Sequence, residues 1–91
     1  MVKFLPLDHL HKVKIKNRQY NQAFGENLKR LRKNAKLSRE SLAAMADIEP
    51  KQIYRIEAEY QSPTVSTVVA IALALKIHPK KLFDFEFDFE E

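Results

Sequence analysis

Residues 37–83 read LSRESLAAMADIEPKQIYRIEAEYQSPTVSTVVAIALALKIHPKKLF, and this stretch decides the fold. Its apolar residues recur at helical spacing in short segments that begin at residues suited to a helix N-terminus. The hydroxyl of Ser38 can accept a hydrogen bond from an exposed backbone N–H, and Pro50 suits a first helical turn. Thr64 and the His78-Pro79 pair begin two further segments. The stretch therefore predicts four short helices, with a tight turn between the first two.

A longer helix is predicted upstream, from about residue 21 to residue 35. Phe24, Leu28, Leu31 and Ala35 fall at i, i+4, i+7 and i+11, which places them on one face. Together with the four downstream segments this gives an all-α domain of five helices.

Composition and charge restrict the class of protein. The chain has 91 residues and no cysteine, so we expect one domain without disulfides or a thiolate zinc site. No apolar run is long enough for a membrane span and no secretory signal is evident, so a cytoplasmic protein is expected. No carboxylate or thiol accompanies His9 and His11 at ligand spacing, and no glycine-rich phosphate loop is present. We therefore predict no enzyme activity, no metal and no cofactor.

The charges are unevenly distributed along the chain. Residues 1–39 hold eleven Lys and Arg against two acidic residues, whereas residues 40–91 hold five against ten. This division indicates a basic surface for a polyanion beside an acidic surface with another role. Charge alone leaves open the simpler interpretation that the basic helices are merely soluble.

A linked set of positions resembles the Cro-like phage-repressor family of helix-turn-helix proteins, also called the xenobiotic-response-element type. These positions are Leu37-Ser38, Leu42-Ala43, Ala46, Ile48, Ile53, Ile56-Glu57, Pro63 and Leu82-Phe83, with Phe24-Gly25-Glu26 and Leu28 upstream. The resemblance implies a five-helix repressor-like fold for residues 20–83 and binding to double-stranded DNA. It also implies that Arg32 and Glu57 form a structural pair that ties the first helix to the third.

The resemblance implies that bases are read from the first two turns of the third helix. The matching positions are Pro50, Lys51, Gln52, Tyr54 and Arg55, together with the acidic Glu49. An arginine can bond guanine O6 and N7 as a fork, and a glutamine can pair with adenine. Phosphate contacts are implied for Arg39, beside the N-terminus of the second helix, and for Tyr60, Gln61 and Ser62 in the following loop. Without the resemblance, the spacing of Lys51 and Arg55 favours a solvated helix face over a DNA-binding one.

Glycine is scarce at positions where this family needs a positive φ angle at helix ends. The matching residues are Lys36, Asp47, Glu59 and Lys76, and Glu59 also carries the wrong charge for a helix C-terminus. We therefore predict that Glu59→Gly stabilises the fold.

Both ends of the chain carry alternating patterns. Residues 12–16 read KVKIK in a basic arm (residues 1–19), and residues 83–90 read FDFEFDFE and run into an acidic aromatic tail (residues 84–91). A period of two predicts strands, which could pair as a small terminal β-sheet within or between subunits. The alternatives are a disordered tail and a tail that mimics DNA.

The fourth helix is apolar nearly all round, including Ala70 and Leu73, which indicates burial on more than one side. A second subunit or the tail residues Phe85, Phe87 and Phe89 could cover it. The leading hypothesis is a homodimeric regulator, a repressor, on a two-fold operator. The alternatives are an antitoxin that binds a toxin protein and represses its own operon, and an adaptor without DNA binding.

Overall fold

The computed structural model describes the backbone of residues 10–88 and the side chains of residues 17–88. Its helices are α1 (Leu10–Asn34), α2 (Arg39–Ala46), α3 (Pro50–Ala58) and α4 (Val65–Leu75), followed by a 3₁₀ helix (Pro79–Phe83). The all-α class is confirmed, but the fifth helix is a 3₁₀ turn and not an α-helix. The Nδ1 atom of His78 caps this turn by accepting from the N–H of Lys80 at 3.1 Å.

The predicted terminal β-sheet is wrong, because the described backbone contains no strand. Residues 12–16 belong to α1, which begins about eleven residues before the predicted start and crosses the expected boundary between arm and domain. No glycine or proline separates this segment from the strongly periodic part of α1. Extending an existing helix fixes one hydrogen bond per residue without a new nucleus, so the helix extends through the alternating pattern.

The tail packs on α1 instead of pairing with another strand. The Phe83 ring lies 4.9 Å from that of Phe24, and the rings of Phe85 and Phe87 each lie 5.0 Å from that of Tyr20. Burial against this cluster raises the pKa of the Tyr20 phenol. Residues 84–88 therefore run back along α1, and Phe89, the last of the predicted packing residues, lies outside the described residues.

The core lies where α1, α2, α3 and α4 meet over the 3₁₀ helix. Its largest fully buried side chains are Leu28, Leu42, Ile53, Ile71 and Leu82. The predicted inner residues Ala43, Ala46 and Ile56 are also buried, whereas Ala35 is exposed because it follows the end of α1. None of the described helices is both long and apolar enough to cross a membrane.

Side-chain caps begin two of the helices as the sequence predicts. The Ser38 hydroxyl accepts from the N–H of Ser41 at 3.0 Å, and the Thr64 hydroxyl accepts from the N–H of Thr67 at 3.1 Å. Each bond satisfies a backbone donor that has no partner within its helix. Pro50 occupies the first turn of α3, where a missing N–H costs nothing.

Three of the four predicted left-handed residues are found, at Lys36, Asp47 and Lys76, and the fourth is wrong. In the turn after α4 the N–H of Ile77 bonds the carbonyl of Ala72, five residues back, and the turns after α1 and α2 repeat this spacing. After α3 the equivalent bond joins Gln61 to Arg55, six residues back. The turn is one residue longer, so Tyr60 takes the positive φ of 57° and Glu59 has a φ of −109°.

We expect Lys76→Gly to raise the free energy of unfolding by about 0.5–1 kcal/mol, because the left-handed strain that glycine relieves exceeds the backbone entropy that glycine loses on folding. Glu59→Gly is the matched control and should lower it by about 0.5–1 kcal/mol, since Glu59 has an ordinary φ angle. This reverses the sequence-based expectation for Glu59. Urea unfolding of both variants measures the difference, and a destabilised Lys76→Gly would contradict the strain argument.

Candidate functional site

The carboxylate of Glu57 organises the junction of α1, α2 and α3. Its side chain is completely buried, and Arg32 donates to it from Nε at 2.7 Å and from Nη2 at 2.9 Å. Arg39, the first residue of α2, donates a third hydrogen bond from Nε at 3.0 Å. Arg32 also donates to the carbonyl of Leu37 at 2.8 Å. The carboxylate thus links three helices, and a buried polar group of this kind needs such partners.

The same carboxylate fixes the charge state of Arg32. The hydrogen bond from Arg32 to Glu57 raises the pKa of the guanidinium, and the negative charges of Glu57 and Glu40 raise it further against the opposing effect of burial. Arg32 therefore stays cationic throughout the accessible pH range. The ion pair between Arg32 and Glu57 therefore stabilises the packing of α1 against α3.

The outward face of α3 presents a row of polar side chains. Ile53, Ile56 and Glu57 anchor the helix to the core. The side chains predicted to read bases lie on the other side, and Pro50, Lys51, Gln52 and Tyr54 are exposed. Arg55 is half-buried, and its Nε lies 3.9 Å from a carboxylate oxygen of Glu59, a long and solvent-exposed contact that competes weakly with other ligands.

A cleft between α3 and the start of α4 brings four of the predicted site residues together. Gln52 and Arg55 of α3 line it together with Gln61 and Ser62 of the following loop. The cleft continues past Pro63 to Thr64 and Thr67 at the N-terminus of α4. This arrangement collects amide, hydroxyl and guanidinium groups that can hydrogen-bond an anion or a base edge.

Arg39 and Tyr60 are predicted contact residues that do not line the cleft. The guanidinium carbon of Arg39 lies 5.1 Å from the centre of the Tyr54 ring. Tyr60 is half-buried, and the guanidinium carbon of Arg18 on α1 lies 5.8 Å from the centre of its ring. This contact could not be predicted from the sequence, because it depends on α1 beginning well before Tyr20.

A stripe of apolar side chains is exposed on α4. Val65, Val69 and Leu73 are spaced at i, i+4 and i+8, and their exposed fractions are 80%, 39% and 71%. Ala70, the other residue predicted to pack against a partner, is half-buried against the core. The stripe formed by Val65, Val69 and Leu73 therefore has no covering partner among the described residues.

Asn27 is a structural residue that the sequence interpretation missed. It is buried, and its Nδ2 atom donates to the carbonyls of Lys81 and Leu82, both at 3.0 Å. These bonds fix the 3₁₀ helix to α1. Its position in the sequence could have indicated this role, because Asn27 lies three residues after Phe24 and therefore on the inner face of α1.

Comparison with known proteins places residues 28–82 within a family described as helix-turn-helix. The crystal structure of the restriction-modification controller protein C.AhdI from Aeromonas hydrophila is similar, with a TM-score of 0.67 and 28% sequence identity. That similarity covers 69% of this chain and 96% of the controller protein. No curated protein matches the chain.

Proposed function

The chain belongs to the Cro-like helix-turn-helix family of DNA-binding transcriptional regulators, and from this premise we propose that it represses transcription as a homodimer on a two-fold operator. The observation that carries the proposal is the exposed polar face of α3. A helix fits the major groove of B-DNA, and side chains near its N-terminus reach base edges when the preceding helix crosses the backbone. Repression then requires only that the dimer occupy its site.

We assign direct base contacts to polar side chains on the outward face of α3. Arg55 can bond guanine O6 and N7, Gln52 can pair with adenine, and Lys51 adds a donor on the face that it shares with Arg55. Pro50 and Tyr54 add apolar surface.

Phosphate contacts are assigned to both sides of this helix. Arg39 lies beside the free N–H groups at the start of α2, and Gln61 and Ser62 lie in the loop after α3. Tyr60 is assigned to the same loop. Such contacts position the protein on the duplex without reading its sequence.

The exposed stripe on α4 supports dimerisation. A helix that leaves Val65, Val69 and Leu73 in water is typical of an interface, because contiguous apolar surface is costly to expose. A two-fold interface presents the same stripe from each subunit. Two copies of α3 would then face successive major grooves of one operator.

The test is selection of bound sites from a random duplex library at about 150 mM salt, an ionic strength at which interactions between exposed charges more than about 8 Å apart are largely screened. We expect the wild type to enrich a two-fold motif. Arg55→Ala should lose about 5- to 150-fold in discrimination at one base pair of each half-site, the equivalent of one bidentate contact. Lys80→Ala is the matched control, because it removes an exposed cation on the 3₁₀ helix, away from α3. Equal losses in the two variants, or binding that only weakens with salt and enriches no motif, would contradict the proposal.

Dimerisation gives a second prediction. Leu73→Glu should yield a monomer in sedimentation experiments and lower the affinity for a two-fold site on the order of 10²-fold, because the second half-site no longer binds intramolecularly. Ala44→Glu, which adds the same charge at an exposed position on α2, should remain dimeric. A monomeric wild type, or a dimeric Leu73→Glu, would exclude this interface.

The antitoxin alternative is not proposed. It requires the acidic aromatic tail to offer its rings to a toxin. Phe85 and Phe87 instead contact Tyr20 of the same chain, which leaves this hypothesis without a supporting observation.

A further inference from the structure

Arg39 contacts two residues of α3 with different parts of its guanidinium group. Its Nε edge donates to Glu57, which is buried, while its guanidinium carbon lies 5.1 Å from the centre of the Tyr54 ring. Tyr54 and Glu57 are three residues apart, so both side chains lie on the side of α3 that meets the start of α2. A single residue of α2 therefore contacts both a buried carboxylate and an exposed ring of α3, the helix proposed to read bases.

The charge balance leaves Arg39 able to bind an anion as well. Glu57 supplies one negative charge to two guanidinium groups, and Arg32 already takes both carboxylate oxygens. Arg32 is buried, whereas the Arg39 side chain is 31% exposed. The excess positive charge of the cluster is thus accessible to solvent at Arg39, beside the N-terminus of α2, where a phosphate is favoured.

The environment of Tyr54 favours a contact with a base over a contact with the DNA backbone. Stacking with Arg39 occupies one side of the ring, and 44% of the residue remains exposed. The free side of an aromatic ring is apolar. The apolar group that base pairs present in the major groove is the 5-methyl group of thymine.

We propose that Arg39 is a positioning residue that holds Tyr54 against the 5-methyl group of a thymine in each half-site. This inference rests on the proposed function. Arg39 binds a phosphate and fixes the ring in the same arrangement, so that docking on the backbone and reading of this base are coupled. A lysine cannot replace it, because an ammonium group lacks the planar fork that bonds Glu57 while stacking on the ring.

The experiment uses the duplex enriched by the wild-type protein and replaces each thymine in turn by deoxyuridine, which lacks only the methyl group. The wild type should lose about four-fold in affinity at one thymine per half-site, the equivalent of one buried methyl group. Tyr54→Phe should keep this loss and Tyr54→Ala should abolish it. Arg39→Lys, which keeps the charge, should abolish it as well.

Arg18→Lys is the matched control, because Arg18 lies over the ring of Tyr60 in a similar arrangement. It should leave the thymine effect unchanged. Melting curves of each variant verify that the protein remains folded, and the two Tyr54 variants test the methyl contact while Arg39 is intact.

The possible results distinguish failure of this inference from failure of the proposed function. A thymine effect that persists in Arg39→Lys overturns the positioning role. A thymine effect that persists in Tyr54→Ala overturns the methyl contact. A loss of affinity for every sequence in Tyr54→Phe also overturns it, and indicates instead that the Tyr54 hydroxyl contacts a phosphate. If the wild type enriches no site, the proposed function fails first.

Discussion

Glu57→Gln is expected to lower the free energy of unfolding by about 3–5 kcal/mol, which is the usual cost of removing one partner from a buried ion pair. The glutamine side chain has nearly the same shape, so the loss is not one of packing. It leaves Arg32 buried and cationic without a counter-charge, and it points amide hydrogens at the N–H groups of Arg32 and Arg39. Urea unfolding monitored by circular dichroism measures the change.

Glu59→Gln is the matched control for this prediction. It makes the same substitution one half-turn further along the chain, at an exposed carboxylate whose contact with Arg55 is 3.9 Å long. A change within about 0.5 kcal/mol is expected there. A double-mutant cycle with Arg32→Gln should show that the two losses are not additive, because both remove the same interaction. Additive losses would show that Arg32 and Glu57 contribute independently.

The sequence predicted α2, α3 and α4 within about a residue of their observed starts, because their starting signals are local. Ser38 and Thr64 each satisfy a backbone donor three residues ahead, and Pro50 favours the first turn. Signals of this kind do not depend on how the helices pack. The outward face of α3 could likewise be predicted, since burying Ile53 and Ile56 directs the intervening side chains outward.

Features that depend on distant residues could not be predicted in this way. The alternation in residues 12–16 is compatible with a strand or a helix, and residues 10–88 contain no partner strand that would favour the first. The alternating pattern of the tail likewise does not determine its structure. The tail packs on α1 because the ring of Tyr20 is placed where Phe85 can contact it. Tyr60 takes the left-handed conformation because the turn after α3 is one residue longer than the other three turns.

Some features of the candidate site could be predicted from the sequence, and others depend on contacts between distant residues. The family resemblance, matched position by position, indicated Lys51, Gln52 and Arg55 as base-reading candidates. The contact of Arg39 with Tyr54 was not predicted, because it joins residues fifteen positions apart whose proximity depends on the crossing of α2 and α3. Asn27 illustrates the same point, since its partners lie more than fifty residues away on the 3₁₀ helix.

Gly25 allows α1 and α3 to approach closely enough for the Arg32–Glu57 pair to form. A Cβ atom at this position would clash with the carbonyl oxygen of Ile56 and would lie 3.3 Å from the Cα atom of Glu57. These atoms belong to the backbone of α3, so no side-chain rotation relieves the clash. Gly25 precedes Arg32 by seven residues, or two helical turns, so both residues lie on the same face of α1.

Gly25→Ala is therefore expected to lower the free energy of unfolding by about 2–3 kcal/mol, within the usual range for an overpacked core. Alanine is the better helix former by about 1 kcal/mol, which offsets part of the strain. Lys29→Ala, at an exposed position on the same helix, should change stability little. Thermal unfolding of both variants gives the comparison. A Gly25→Ala protein stabilised by about the helix-propensity gain would show that α1 and α3 are not in close contact, because only the clash with α3 opposes that gain.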